Sequence, residues 1–210
     1  MTPSTVNAYY NPSLNEIVFP AGILQPPFFD AKAADATNFG GVGAVIGHEL
    51  SHGFDDEGAQ YDGEGNLKNW WSSTDQSSFK KRAECVEHQF DGFTVQELHL
   101  NGKLVNGEAI ADLGGLKLAY RAYQRSLQGK PGQTLDGFTP EQRLFRSFAL
   151  VFSGQQRPEA ERLRIATNPH PFNRFRVNGS VSNLPEFAQA FGCKPGDPMT
   201  RPEAERCSVW

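Results

Sequence analysis

Apolar positions along the chain change from a short β-prone pattern near the start to helical spacing further on. Residues 6–10 and 16–19 are β-prone and flank the turn-forming segment 11–15, which predicts an antiparallel hairpin with a five-residue loop. The proline-containing segment 20–29 predicts a loop. Between about residues 40 and 54, apolar side chains recur at helical spacing, so the first helix is expected there.

Helical spacing dominates the remainder of the chain. Thr74 is expected to cap one helix, and Thr139 followed by Pro140 is typical of another helix start. The pattern predicts a mainly helical α+β fold with a small antiparallel sheet and no internal repeat. Five further helices are predicted over residues 74–90, 107–127, 140–152, 158–166 and 185–191. Between them, a polar loop is expected over 55–71, an irregular or strand-like segment over 95–106 and a strand over 175–181.

Length and composition predict a globular protein of one domain, or at most two small ones. Its 210 residues, 38% of them hydrophobic, are enough for one domain over residues 1–210 with its own core. The balance of 20 Lys and Arg against 24 Asp and Glu argues against avid nucleic-acid binding, which usually needs a basic stripe. No apolar run approaches the ~20 residues that span a bilayer, so no membrane-spanning segment is expected.

The start of the chain and its cysteines bear on the compartment. Residues 1–4 carry no charged and apolar signal segment, so either the protein is cytoplasmic or the sequence begins inside a longer protein. The three cysteines, Cys85, Cys193 and Cys207, are too far apart for a Cys-x-x-Cys site, and their spacing leaves their pairing open.

The strongest chemical signal is the sequence His48-Glu49-Leu50-Ser51-His52 in the first predicted helix. Residues four apart share a helix face, so the imidazoles of His48 and His52 can reach one metal ion. Glu49 lies about 100° further round the helix, where it can act on a water molecule beside the metal. The helix is apolar and glycine-rich, which disfavours the alternative that these are incidental histidines on a solvated face.

A catalytic zinc ion usually has three protein ligands, so a third ligand is expected. His88, His99 and His170 are available, but Glu108 near the predicted start of the third helix is the better candidate. Asp112 lies four residues further on the same face, where it can accept a hydrogen bond from a metal-bound imidazole. The alternative is a solvated acidic helix start that interacts favourably with the helix dipole.

Six segments of the chain, one of which contains the His48–His52 motif, match a known protein family. They are residues 6–10 (VNAYY), 17–29 (IVFPAGILQPPFF), 47–56 (GHELSHGFDD), 107–112 (GEAIAD), 119–123 (AYRAY) and 207–210 (CSVW). Together they resemble the C-terminal catalytic part of the neprilysin and endothelin-converting-enzyme family of zinc metallopeptidases. The resemblance covers nearly the whole chain, in order.

The resemblance implies a thermolysin-like gluzincin fold with one zinc ion per chain. Its zinc ligands would be His48, His52 and Glu108. Glu49 would be the general base that activates water, and Asp112 would orient His48.

The resemblance also implies a peptide-binding cleft. Asn7 and Ala8 would bind the substrate backbone from an edge strand, as in strand addition. His170 would donate to the tetrahedral oxyanion and Arg176 would bind a substrate carbonyl, while Asp55 would support the second zinc-binding histidine. An apolar pocket for the residue after the scissile bond would be lined by Ile23, Phe28, Val45, Val151 and Phe152, and it would be deepened by the small side chain at residue 44.

The expected function is therefore zinc-dependent hydrolysis of oligopeptides on the amino side of bulky hydrophobic residues. The alternative is a non-catalytic or weakly active, zinc-containing peptide-binding fragment. The family's helical domain that roofs the cleft and the N-terminal part of its catalytic domain have no counterpart in this sequence, so an open cleft is expected.

The resemblance also suggests a secreted or extracytoplasmic location. Cys85 and Cys207 match a disulfide pair of secreted relatives, and the expected partner of Cys193 lies in the N-terminal part that has no counterpart here.

Overall fold

The computed structural model describes residues 1–209, so Trp210 of the CSVW segment lies outside the described residues. The described chain is mainly helical with two small antiparallel hairpins, which confirms the expected fold class. Its helices are α1 (Asp35–Asn38), α2 (Ala44–His52), α3 (Ser73–Asp91), α4 (Gly102–Ser126), α5 (Pro140–Val151), α6 (Pro158–Thr167), α7 (Asn173–Val181) and α8 (Pro185–Phe191). Its strands are β1 (Tyr9–Asn11), β2 (Glu16–Val18), β3 (Thr94–Val95) and β4 (Leu98–His99).

Both hairpins are short. The first was expected, but its loop is residues 12–15 because Asn11 still pairs with Glu16. The second pairs β3 with β4 through a two-residue turn at Gln96 and Glu97, whose φ angles are 49° and 67°. Positive φ at both turn residues matches the right-handed twist of the strands that it joins.

The helical segment that contains the first predicted helix begins at Asp35, before the predicted start near residue 40, and it is not one continuous α-helix. It begins with α1, continues through a wide turn at Phe39–Gly43 and becomes regular again at α2. The backbone of Gly41 leaves helical geometry inside this wide turn. The prediction of one uninterrupted helix from about residue 40 was therefore wrong at its N-terminal end.

The starts of α3 and α4 correct two further expectations. Ser72, not Thr74, caps α3, and its side chain accepts a hydrogen bond from the Asp75 amide. Helix α4 begins at Gly102 and not near residue 107, because the Asn101 side chain caps it by accepting from the Leu104 amide. Glu108 consequently lies well inside α4 and not at its first residue.

The strand expected over residues 175–181 is helix α7 instead. Phe175 and Gly179, one helical turn apart, are both buried in α7. A Cβ atom at Gly179 would lie 2.7 Å from the Phe90 ring, so this residue must stay small. Because Gly179 contributes no apolar side chain to the buried face of α7, the apolar positions of this segment do not reveal its helical periodicity.

Side chains of α3, α4, α5, α7 and α8 form one hydrophobic core, which also buries Cys207 and Val209. A disulfide joins Cys85 of α3 to Cys207, and Cys193 is a free cysteine. Within residues 1–209, no helix has the length and apolar character needed to cross a bilayer.

Candidate metal centre

A cavity of about 440 Å³ opens where α2, α4, α5 and α7 approach the first hairpin. All fourteen site residues selected from the sequence line it. The polar and charged ones are Asn7, His48, Glu49, His52, Glu108, Asp112, His170 and Arg176, and the apolar ones are Ala8, Ile23, Phe28, Val45, Val151 and Phe152. Positions that are far apart in sequence therefore meet at one place.

The centre of the site is one face of α2. The Nε2 atoms of His48 and His52 lie 2.9 Å apart, so both rings point at the same small volume. One ligand atom from each of His48, Glu49 and His52 lies within 4.8 Å of the others. Glu49 is buried, with 4% of its surface exposed, so it faces this volume and not solvent.

Glu108 of α4 brings a carboxylate to the same volume. Its Oε2 lies 3.5 Å from His48 Nε2, and its Oε1 lies 3.7 Å from His52 Nε2. Ligand atoms around a tetrahedral zinc ion at its usual bond lengths are about 3.3–3.5 Å apart. The three separations in this site, 2.9, 3.5 and 3.7 Å, bracket that range, so two imidazole nitrogens and the Glu108 carboxylate are a donor set that a zinc ion would fit.

Two carboxylates hold the outer nitrogens of the histidine rings. Asp112 Oδ1 lies 2.9 Å from His48 Nδ1, and Asp55 Oδ2 lies 2.6 Å from His52 Nδ1. Asp55 is itself fixed, since its Oδ1 accepts from the amides of Glu57 and Gly58. A carboxylate on Nδ1 orients each ring and leaves Nε2 directed at a metal.

Arg176 of α7 ties the two acidic residues of α4 together. Its Nε donates to Asp112 Oδ2 at 2.7 Å, and its Nη2 donates to Asp112 Oδ1 at 2.8 Å and to Glu108 Oε2 at 3.1 Å. Burial of Asp112 opposes its ionisation, but the charge of Arg176 and the contact with His48 hold its pKa at about 2. Asp112 is therefore an anion at the base of the site.

The family resemblance implied only a substrate-binding role for Arg176, and its contacts with these carboxylates were missed. A signal was available, since two acids one turn apart on an apolar helix need a cation nearby.

His170 reaches the centre from the loop between α6 and α7. Its Nε2 lies 3.1 Å from Glu108 Oε1. The side chain of Asn168 accepts from the His170 amide at 2.8 Å and lies 3.1 Å from His170 Nδ1. The side chain of His170 remains 46% exposed, so it stands at the rim of the cavity and faces both the centre and solvent.

Two further residues at the centre of the site, Glu49 and His52, have raised pKa values. Burial raises the pKa of the Glu49 carboxyl, and the nearby charges of His48, His52 and Arg176 oppose this rise. The pKa of His52 is raised, because the hydrogen bond and charge of Asp55 outweigh the opposing effect of burial.

The apolar side of the cavity includes residues that the sequence did not single out. Phe148 of α5 lies one turn before Phe152, the residue that follows this helix, and the centroids of the two rings are 5.2 Å apart. Spacing of three and four residues from Val151 and Phe152 could have identified it. Asn7 and Ala8 line the cavity, but they precede β1 and are not part of the paired strand.

Comparison with known proteins identifies relatives of this chain. The model of peptidase family M13 matches residues 7–207. The human protein "Endothelin-converting enzyme 1" is 48% identical over 214 residues, covering 100% of this chain and 27% of that protein. "Neprilysin-1" of Caenorhabditis elegans is 46% identical and covers 99% of this chain and 28% of that protein.

Solved structures with the same fold also include zinc metalloproteases. The crystal structure of Mycobacterium tuberculosis zinc metalloprotease Zmp1 with an inhibitor superposes with a TM-score of 0.96 at 48% identity, covering 100% of this chain and 33% of that one. PepO from Lactobacillus rhamnosis superposes with a TM-score of 0.88 at 39% identity. The chain spans about a quarter of the length of the curated relatives that it matches. Since the family model and these relatives match almost from one end of the chain to the other, the chain belongs to peptidase family M13.

Proposed function

We propose that this chain carries the catalytic centre of a zinc-dependent endopeptidase that acts on oligopeptides. One observation carries the proposal: the buried carboxylate of Glu49 adjoins two imidazoles whose Nε2 atoms converge 2.9 Å apart. A zinc site that served only structure would usually be closed by four ligands and would have no use for this carboxylate. Membership of family M13 supports the same conclusion.

Zinc would be held by His48, His52 and Glu108, one ion per chain. When bound there, zinc lowers the pKa of water and polarises a carbonyl group. Asp112 and Asp55 keep the two imidazoles in the orientation that this requires, since they contact the Nδ1 atoms at 2.9 Å and 2.6 Å. Because these two carboxylates already hold the imidazoles in place, the metal-binding geometry is preorganised.

Glu49 would manage the protons of the reaction. It accepts a proton from the water that attacks the scissile carbonyl carbon, and it delivers that proton to the amine that leaves. A new carbon–oxygen bond forms and the carbon–nitrogen bond breaks, so water is consumed and two peptides are released. The position of Glu49 one residue after His48, about 100° further round the helix and beside the candidate metal ligands, supports this role.

His170 would stabilise the negative charge that develops on the carbonyl oxygen. Its imidazole stands at the cavity rim, where a hydrogen bond to that oxygen is possible. Arg176 would bind a substrate carbonyl. Its contacts with Asp112 and Glu108 use Nε and Nη2, and its guanidinium lies 4.6 Å from the centre of the Phe152 ring at the cavity wall.

The apolar wall would select the residue after the cut. Phe148 and Phe152 pack edge to face beside Val151, and the small side chain of Ala44, which also lines the cavity, would leave room for a deeper pocket. A bulky hydrophobic side chain would gain the most buried apolar surface there. Asn7 and Ala8 would hydrogen-bond the substrate backbone beside this pocket.

The disulfide between Cys85 and Cys207 favours an extracytoplasmic location, since such bonds persist in oxidising compartments.

Zinc stoichiometry and cleavage of a quenched peptide library test the proposal together. We expect one zinc ion per chain and chelator-sensitive cleavage before bulky hydrophobic residues. One bound zinc ion without cleavage would instead indicate the peptide-binding alternative, and no bound zinc would refute both.

A further inference from the structure

Helix α6 is attached to the rest of the molecule mainly by polar contacts. None of its residues is buried, and Leu163 is 69% exposed. Ile165 is the residue of α6 that packs, partly buried, against the core. A helix with so little buried apolar surface depends on its hydrogen bonds to stay in place.

Gln96 provides three of these bonds from the turn between β3 and β4. Its Nε2 donates to the carbonyl of Pro158 at 2.9 Å and to Glu161 Oε2 at 2.9 Å. Its Oε1 accepts from Arg162 Nε at 2.8 Å. One side chain therefore contacts the first two turns of α6, across more than sixty residues of sequence.

Residues at the C-terminal end of α6 hydrogen-bond the backbone around His170. Arg164 Nη2 donates to the carbonyl of Pro171 at 3.1 Å. Asn168, the residue that follows α6, accepts from the His170 amide and contacts its ring. The placement of His170 thus depends on where α6 lies.

We propose that Gln96 is a positioning residue for His170: the β3–β4 turn fixes α6, and α6 fixes the loop that presents the His170 imidazole to the site. The kinetic part of this inference rests on the proposed peptidase function. Gln96 itself touches neither the candidate metal ligands nor the cavity lining. It acts through α6.

Hydrogen exchange of Gln96→Ala tests the structural part without any need for activity. We expect amides of residues 159–170 to exchange about 10-fold faster, because up to three hydrogen bonds are lost. Amides of α4 should be unchanged. Glu97→Ala is the matched control, since Glu97 shares the turn and its positive φ but makes none of these contacts with α6. Unchanged exchange in α6 would overturn the inference.

A double-mutant cycle tests whether Gln96 acts through His170. Gln96→Ala should lower kcat about 5- to 10-fold with little change in KM, since an oxyanion contact is made only in the transition state. In a His170→Asn background the same change should cost less than about 2-fold. Losses that simply add would show that Gln96 acts by another route.

Exchanging the two side chains, by combining Gln96→Glu with Glu161→Gln, tests whether the contact between these positions can be restored. Gln96→Glu alone removes both bonds donated by Nε2 and places two carboxylates together, while it keeps the acceptor for Arg162, so it should loosen α6 without freeing it completely. Adding Glu161→Gln restores one donor and one acceptor between the same positions and should recover part of the protection and of kcat. Absence of recovery would count against the inference. Absence of cleavage by the unaltered chain, with exchange behaving as expected, would count against the proposed peptidase function alone.

Discussion

Gly47 of α2 and Gly115 of α4 meet backbone to backbone. A Cβ atom at Gly47 would lie 2.5 Å from the carbonyl oxygen of Gly115, which is closer than such contacts allow. This contact brings the helix that carries His48 against the helix that carries Glu108 and Asp112. The separations between imidazoles and carboxylates in the site are therefore set by two residues that have no side chain.

Gly115→Ala should destabilise the fold and weaken metal binding together. The added methyl group must push α2 and α4 apart, and overpacking of this kind costs about 1–3 kcal/mol. Chemical denaturation and zinc titration measure the two effects. Gly63→Ala is the control, because nothing lies within 4 Å of a Cβ atom there. Equal stability of the two variants would mean that the helices tolerate wider spacing.

Glu49→Gln should retain zinc and lose nearly all hydrolysis. The amide keeps the shape of the side chain but cannot accept the proton of the attacking water, and removal of a general base costs on the order of 10²-fold or more. Zinc content and peptide cleavage should be measured on the same sample. Turnover close to that of the unaltered chain, with zinc bound, would remove Glu49 from the mechanism.

Glu108→Ala should lower zinc affinity more than Asp112→Asn does. The first change deletes a proposed ligand, while the second weakens only the contact that orients His48, for which losses of about 10- to 100-fold are typical. Asp112→Asn should also reduce stability, since it leaves the buried guanidinium of Arg176 without its main counter-charge. Competition with a zinc chelator ranks the affinities. Normal zinc binding by Glu108→Ala would mean that the third ligand is a different residue.

Asp56 should make the fold more stable in mild acid than at neutral pH. Burial and the neighbouring charges of Asp55 and Glu57 raise its pKa to about 6, while His52 opposes this. The folded state therefore holds the proton more tightly than the unfolded chain does. Its stabilising effect is complete below pH ~4 and is lost as the pH rises through ~6.

Asp56→Asn removes this dependence. Above pH ~7 the variant should be more stable than the unaltered chain by on the order of 1 kcal/mol, after allowing for solvent screening of a partly exposed carboxylate. Unfolding should be followed between pH 4 and 8 with chelator present, so that metal binding does not contribute. A constant difference between the two proteins across this range would contradict the assignment.

The candidate site was largely accessible from the sequence because its chemistry is local. Helix spacing places His48 with His52 on one face and Glu108 with Asp112 on another, and it puts Glu49 beside His48. Asn7, Ala8, His170, Arg176 and the apolar pocket residues were indicated only by the family resemblance. The contacts between groups were not accessible in this way. The two acids of α4 indicate a nearby cation, but that this cation is Arg176 depends on how α7 packs against α4.

The misplaced helix boundaries have a related cause. Asn101 and Gly102 resemble a loop in sequence, yet the Asn101 side chain caps α4. Gly179 interrupts the apolar pattern of α7 because the Phe90 ring takes the space of its side chain. At Gly179 the cause is a tertiary contact, whereas the Asn101 cap is a local contact with the Leu104 amide that the sequence pattern could have indicated.

The attachment of Cys207 to α3 has a consequence for synthesis on the ribosome. Arg82 donates to the carbonyl of Val209, Cys85 bonds Cys207, and the Cys207 amide donates to the buried side chain of Asn183. The separation of 122 residues between the two cysteines corresponds to about 6–24 s of translation at ~5–20 residues per second. Throughout that interval α3 can pack against α4, but Arg82 and Cys85 lack their C-terminal partners. A nascent chain halted before residue 207 would leave this part of the core without Cys207 and Val209, and we expect such chains to depend more on chaperones.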